Sequence, residues 1–259
     1  DKNVRLWYKP DNVFDMPKVN IMYRFLSGEG LFSPHAIVAA QLLSELVTEQ
    51  CNEFSYEATM AGLYCQVSPS SSAIELHVSG YNHKAHVLVE RLLVTTMDLL
   101  ASDTGSAELT ELFDRVKFKL EQSFQSFLVG QPYQHGMYGG DLVLEQRTPI
   151  EDKMNVLKEI TLSEVLTFAK GFLKHCHLEG LVHGNVSAQH AYHITSMVWR
   201  KTHPQQTNSM EATITRAPLD KRVVQLSSGS SYLYSFPEFN EANTNSCVEL
   251  IFPMGALDL

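Results

Sequence analysis

Eleven histidines and four cysteines are the residues of this 259-residue chain that could hold a metal or move a proton near neutral pH. Spacing limits what they can do. His83 and His86 are three apart, as are His190 and His193, and His175, Cys176 and His177 stand together shortly before His183. A zinc site needs three or four ligands converging at about 2.0–2.3 Å. No histidine pair here has a third ligand at a regular spacing, so the plainer reading is helix-surface histidine beside an acid, such as His86 with Glu90 at i, i+4. The zinc-protease patterns H-E-x-x-H and H-x-x-E-H do not occur. Nor do G-x-S-x-G, a P-loop or G-x-G-x-x-G; Gly28-Glu29-Gly30 approaches the last, with Ser33 where the third glycine belongs. Cys51, Cys65, Cys176 and Cys247 form no C-x-x-C and no disulfide framework. Reduced, mostly buried thiols and a cytoplasmic setting are the expectation.

The densest polar and aromatic knot is Gln131-Pro132-Tyr133-Gln134-His135-Gly136-Met137-Tyr138. Gln131, Tyr133, His135 and Tyr138 are therefore the candidate substrate or interface residues. The competing reading is a helix–helix corner in which Pro132 stops one helix and opens the next.

These residues must be positioned by elements, and the apolar period switches between two and 3.6 along the chain. Val4–Tyr8 and Val19–Phe25 are short runs rich in β-branched and aromatic residues, hence strands. Ser33-Pro34 opens a helix whose stripe is Val38, Ala39, Leu42, Leu43, Leu46 and Val47. Gly62–Val67 and Ala73–Val78 flank a serine-rich turn and predict a hairpin. Four helices follow, with stripes at Leu88–Met97 and Leu109–Leu128, then a segment from about Tyr133 to Gln146, then a run from Leu162 to Leu173 behind the Thr161–Glu164 capping box. His177–His183 is the next strand, and Ser187 opens a helix with Ala191, Ile194, Thr195 and Val198 inward. That order predicts an α+β fold: helices packed on one face of a mostly antiparallel, about six-stranded sheet. Residues 1–202 form the module, 203–221 a polar linker, and 222–259 the first strands of a following module, with strand-like runs at Arg222–Leu226, Tyr232–Phe236 and Cys247–Phe252.

Hydrophobic residues make up 44% and charged residues 19%, which is globular composition. A net charge of −9 argues against nucleic acid as a partner and against a polybasic membrane anchor. No run nears the roughly 18 apolar residues of a membrane span. The abrupt ends read as a piece cut from a longer protein.

Several segments, in order, resemble the insulin-degrading-enzyme branch of the pitrilysin family of zinc metallopeptidases. They are Leu6-Trp7-Tyr8-Lys9-Pro10-Asp11, Asn52-Glu53-Phe54-Ser55-Tyr56, Ser79-Gly80-Tyr81-Asn82-His83-Lys84, the Gln131–Tyr138 knot, Leu178–Val186 and Asn245–Leu250. The resemblance is to the third of four homologous modules plus the opening of the fourth. It implies a parent metalloendopeptidase that encloses peptides in a two-halved chamber, with zinc held in a different module by H-x-x-E-H. No zinc ligand transfers to this chain, so the fragment has no cofactor of its own and is expected to be inactive alone. The implied partners are the other modules of the same polypeptide, peptides reaching the chamber, and a second copy as a homodimer. The sheet face left bare by the helices would be a chamber wall, with Gln131, Tyr133, His135 and Tyr138 as chamber or interface residues. The alternatives are a peptide-binding or assembly module of an inactive paralogue and, last, a metal binder using the histidines.

Overall fold

In a computed structural model the described residues are 3–252, apart from 28–30, 32, 71, 145–146, 204–226 and 238. Five strands are seen among them: β1 (Val4–Pro10), β2 (Lys18–Ser27), β3 (Leu63–Pro69), β4 (Ala73–Tyr81) and β5 (Cys176–Gly184). They form one sheet in the order β1-β5-β2-β4-β3. β2 is antiparallel to both β4 and β5, β3 is antiparallel to β4, and β1 joins the far edge parallel to β5. The α+β class holds, with five strands rather than about six, because the rest of the described module carries helical rather than alternating patterning.

The helices are α1 (Pro34–Gln50), α2 (Asn52–Met60), α3 (Asn82–Ala101), α4 (Ala107–Leu128), α5 (Pro132–Leu144), α6 (Ile150–Glu159), α7 (Leu162–Lys174) and α8 (Ala188–Thr202). Their starts follow local chemistry. The Ser33 hydroxyl accepts from the Ala36 amide with Pro34 at the first helical turn, and Ser106 and Ser187 cap α4 and α8 in the same way. The Thr161–Glu164 capping box is fully formed on α7. Two helices go beyond the sequence expectation. α2 has no buried residue, so it lacks the apolar stripe by which a helix is recognised; α6 is short and buries Ile150 and Leu157, with Met154 packed beside them.

Alternation along each strand separates two faces. Val19, Ile21, Tyr23 and Phe25 of β2 are buried, whereas Lys18, Asn20 and Met22 between them are exposed. The inward residues join Leu42 and Leu46 of α1, Leu88 and Leu92 of α3, Val165 and Leu166 of α7, and Leu178 of β5 in one core. The Tyr23 hydroxyl reaches the Thr195 hydroxyl of α8 at 3.0 Å inside this core, so its polar end is not left unpaired. Two glycines frame the end of β2. Gly80 and Gly184 are both register partners of Val19 and have φ of 127° and 131°. A Cβ on Gly184 would run into the Lys18 carbonyl oxygen, and one on Gly80 into that of Gly62.

Beyond α8 the runs Tyr232–Phe236 and Cys247–Phe252 were expected as strands, but they join no sheet among the described residues. A strand needs a neighbour for its backbone groups, and none pairs with these runs among the described residues. The run at Arg222–Leu226, and the linker beyond His203, lie outside the described residues.

Two stability predictions follow from this packing. Leu166→Ala should cost about 2–5 kcal/mol in urea unfolding, since a fully enclosed side chain is removed from the core. The second concerns His203, which is buried at the end of α8, stacked on Trp199 with ring centroids 3.7 Å apart. Burial pushes its pKa down, more strongly than its hydrogen bonds to the Trp199 and Leu173 backbone raise it. As pH falls, the unfolded chain therefore takes up this proton first. The contribution is complete above an unfolded pKa of about 6.5 and is lost as pH drops through it towards the lower folded value. Urea midpoints should fall from pH 8 to pH 5, and the His203→Gln variant should show a shallower fall.

Candidate functional site: the open sheet face and the α5 corner

Outward side chains of the five strands line up in three rows. Register places Arg5 beside Glu179, Glu179 beside Arg24 and Arg24 beside Glu75. These form an alternating charged row with ion pairs of 3.5 Å (Arg5–Glu179), 3.8 Å (Arg24–Glu179) and 3.2 Å (Arg24–Glu75). The next row across the sheet is Trp7, Leu181, Met22 and His77. Trp7, Met22 and Leu181 are 47%, 42% and 40% exposed, so an apolar strip lies open on the side away from the helices. The Arg5 guanidinium sits 5.4 Å from the Trp7 ring centroid and links the two rows. The third row is Lys9, His183, Asn20 and Ser79, with Tyr64 beside Ser79.

A metal does not fit this face. Among the described residues no group of three or more His, Cys, Asp or Glu is placed to hold an ion. The buried Nε2 atoms of His77 and His177 have no hydrogen-bond partner. These histidines lie on β4 and β5, which flank β2 at register positions Met22 and Leu26, so the sheet holds them apart. Burial pushes the His177 pKa down, against the pull of Glu179. His86 lies within electrostatic reach of Glu90, but that carboxylate pairs with Lys201 of α8 at 3.2 Å, and the His86 ring packs edge-on to His190, centroids 5.1 Å apart. All four cysteines are free; Cys51 and Cys176 are buried, and burial pushes the Cys176 thiol up to about 12, which leaves it a poor nucleophile.

The structure separates the four residues singled out in the knot. Gln131 and Tyr133 are exposed at the start of α5. His135 is 1% exposed, with Nε2 2.7 Å from the Phe127 carbonyl and its ring edge-on to Phe127 and Phe239. Tyr138 is half-buried, and its hydroxyl accepts from the Ile150 amide at 2.6 Å, fixing the start of α6. Its pKa is raised, chiefly by burial. His135 and Tyr138 thus hold the α4–α5–α6 corner together, whereas Gln131 and Tyr133 project from it. The outward rows are not visible as a motif; their signal lies in the alternate positions of each strand, which only pairing aligns.

Residues 1–156 match the family model described as the middle or third domain of peptidase M16, and the chain belongs to that family. Among curated relatives, the insulin-degrading enzyme of Drosophila melanogaster is 31% identical over 255 residues, covering 98% of this chain and 25% of that protein. The insulin-degrading enzyme of Homo sapiens is 28% identical over 255 residues, covering 96% of this chain and 23% of that protein. The chain thus spans about a quarter of the length of these relatives. The fold matches the crystal structure of pitrilysin with a TM-score of 0.70 at 18% identity, over 78% of this chain and 21% of that one. Among the described residues no helix is long and apolar enough to cross a membrane.

The two halves of the α5 corner should respond differently to truncation. Gln131→Ala and Tyr133→Ala should leave the melting temperature within about 1 °C of the wild type, as exposed positions do. His135→Ala should lower it by several degrees, because it opens a cavity and removes the ring's hydrogen bond to the Phe127 carbonyl, which keeps only the Gly130 and Val129 amides. Differential scanning fluorimetry of the three variants distinguishes them.

Proposed function

We propose that this chain is a non-catalytic middle module of an insulin-degrading-enzyme-like zinc metalloendopeptidase, and that its open sheet face walls the chamber in which peptides are held. The observation that carries the reading is the two-faced sheet: one face is sealed by helices, and the other presents Trp7, Leu181 and Met22 between polar rows. Peptides offer both apolar side chains and backbone polar groups, and a mixed face of this kind meets both. On this reading catalytic zinc belongs to the parent protein, since the sequence has no H-x-x-E-H to hold it. The neighbours of this module are the other modules of the same polypeptide. Residues 203–221 act as the linker, and 222–259 begin the following module.

The first test is catalytic. The purified chain, given zinc and a quenched fluorogenic peptide, should show no turnover that a chelator removes; chelator-sensitive turnover that follows the protein through purification overturns the non-catalytic assignment. The second tests the wall. In the parent enzyme, Trp7→Glu with Leu181→Glu should raise KM several-fold with little change in kcat, as expected when binding equal in ground and transition states is lost. An unchanged KM, with the variant folded by circular dichroism, removes the sheet face from the chamber.

A further inference from the structure

A cavity of about 330 Å³ lies between α5, the start of α6 and the segment that trails beyond α8, lined by Tyr138, Leu142, Pro149, Glu151, Tyr234, Phe236, Pro237 and Phe239. Among the described lining residues four are aromatic and Glu151 is the charged one. The volume is at the small end of ligand pockets, about 300–1,000 Å³, and suits a single side chain better than a folded surface. The rings are mutually tilted: Tyr234 and Phe236 by 38°, Phe236 and Phe239 by 46°, Tyr138 and Phe239 by 54°. Rings inclined in this way wrap a concavity rather than extend one plane. Glu151 and Asp152 stand in the first turn of α6, and both, with Tyr234, act on the Tyr138 hydroxyl in the direction that keeps it protonated. Two cations stand nearby, and the Glu151 carboxylate itself acts on Lys153. Arg147 pairs with Asp141 at 2.9 Å, and the Lys153 ammonium lies 5.5 Å from the Phe124 ring.

Aromatic rings around a hollow, with a carboxylate at its wall, are complementary to an organic cation: the rings attract it through their quadrupoles and the carboxylate through its charge. We propose that this cavity is a binding site for a basic peptide side chain, arginine or lysine. It lies on α5, α6 and the trailing segment, away from the three rows of the sheet, so it stands or falls apart from the wall.

The probes are Nα-acetyl-arginine amide and its neutral isostere Nα-acetyl-citrulline amide, titrated into the full chain and followed by amide chemical shifts. The arginine probe should shift residues around Tyr138, Glu151 and Phe236, and bind about fivefold or more tightly than citrulline. Glu151→Gln should reduce that preference to less than about twofold. Phe236→Ala should weaken both probes, while Tyr133→Ala, outside the cavity, changes neither. Equal binding of the two probes, shifts that map elsewhere, or no shift at millimolar probe overturns the proposal. So does a preference that survives Glu151→Gln in a variant with wild-type circular dichroism.

Discussion

The register of β2 is the constraint on which the rest of the module depends. This strand is paired along its length with β4 on one side and β5 on the other, so its alternation is imposed on both neighbours. Side chains repeat with a period of two, so a slip of one residue would turn Val19, Ile21, Tyr23 and Phe25 outward and put Asn20, Met22 and Arg24 against the helices. Burying Arg24 there would cost far more than any contact it could gain. The glycines flanking Val19 hold the register from the strand end. Gly80 and Gly184 take a left-handed backbone and admit a neighbouring chain where a Cβ could not fit. The helix-facing core and the open rows are therefore two results of one pairing.

A second close approach joins the module to the chain that follows it. Gly136, Gly139 and Gly140 give α5 a face without side chains, and Cys247, Phe236, and Glu249 with Ile251 lie against those three positions. Glycine inside a helix costs about 1 kcal/mol relative to alanine, so three within five residues weaken α5 in isolation. Contact with the trailing segment and the ring cluster of Phe127, His135, Tyr138 and Phe239 offsets that cost. The opposite side of the segment is bare: Val248, Leu250 and Phe252 are 82%, 73% and 76% exposed. Apolar residues on both sides of an extended run are the pattern of a strand destined for the middle of a sheet. This fits the proposal that the segment opens the next module, with α5 as its first contact.

What could be read without coordinates was local. The serine caps of α1, α4 and α8, the capping box of α7 and the β3–β4 hairpin each depend on residues a few positions apart, and each is present. α2 escaped because it is largely solvated, and apolar periodicity reports burial rather than helicity; α6 did carry the signal, in Ile150, Met154 and Leu157 at helical spacing, but over only ten residues. Strand order escaped for another reason. Val4 of β1 pairs with Leu178 of β5, and nothing near either residue encodes so distant a partner. The Gln131–Tyr138 knot showed its density but not its roles. Whether His135 points into the corner or out of it depends on α4 and on Phe239, more than a hundred residues away. The open rows needed both kinds of information: alternation gave their members, and only the long-range pairing aligned them.

That alignment bears on what a wall of this kind would select. Arg5, Glu179, Arg24 and Glu75 largely neutralise one another across the sheet, so the face presents little net field despite the chain's overall charge of −9. Exposed pairs like these contribute at most about 1 kcal/mol each to stability. If the face walls a peptide chamber as proposed, their larger effect would be to keep occupied charges that would otherwise reject peptides of one sign. The adjoining strip relies on Trp7, Met22 and Leu181, and methionine's unbranched thioether adapts to differently shaped partners. A surface with balanced charge and a compliant apolar strip discriminates weakly, because selectivity requires some element that penalises the wrong ligand. On this reading the sheet confines peptides without choosing among them. The choice would fall to sites with an unbalanced charge, such as the hollow beside Glu151, and to whatever part of the parent protein holds the scissile bond.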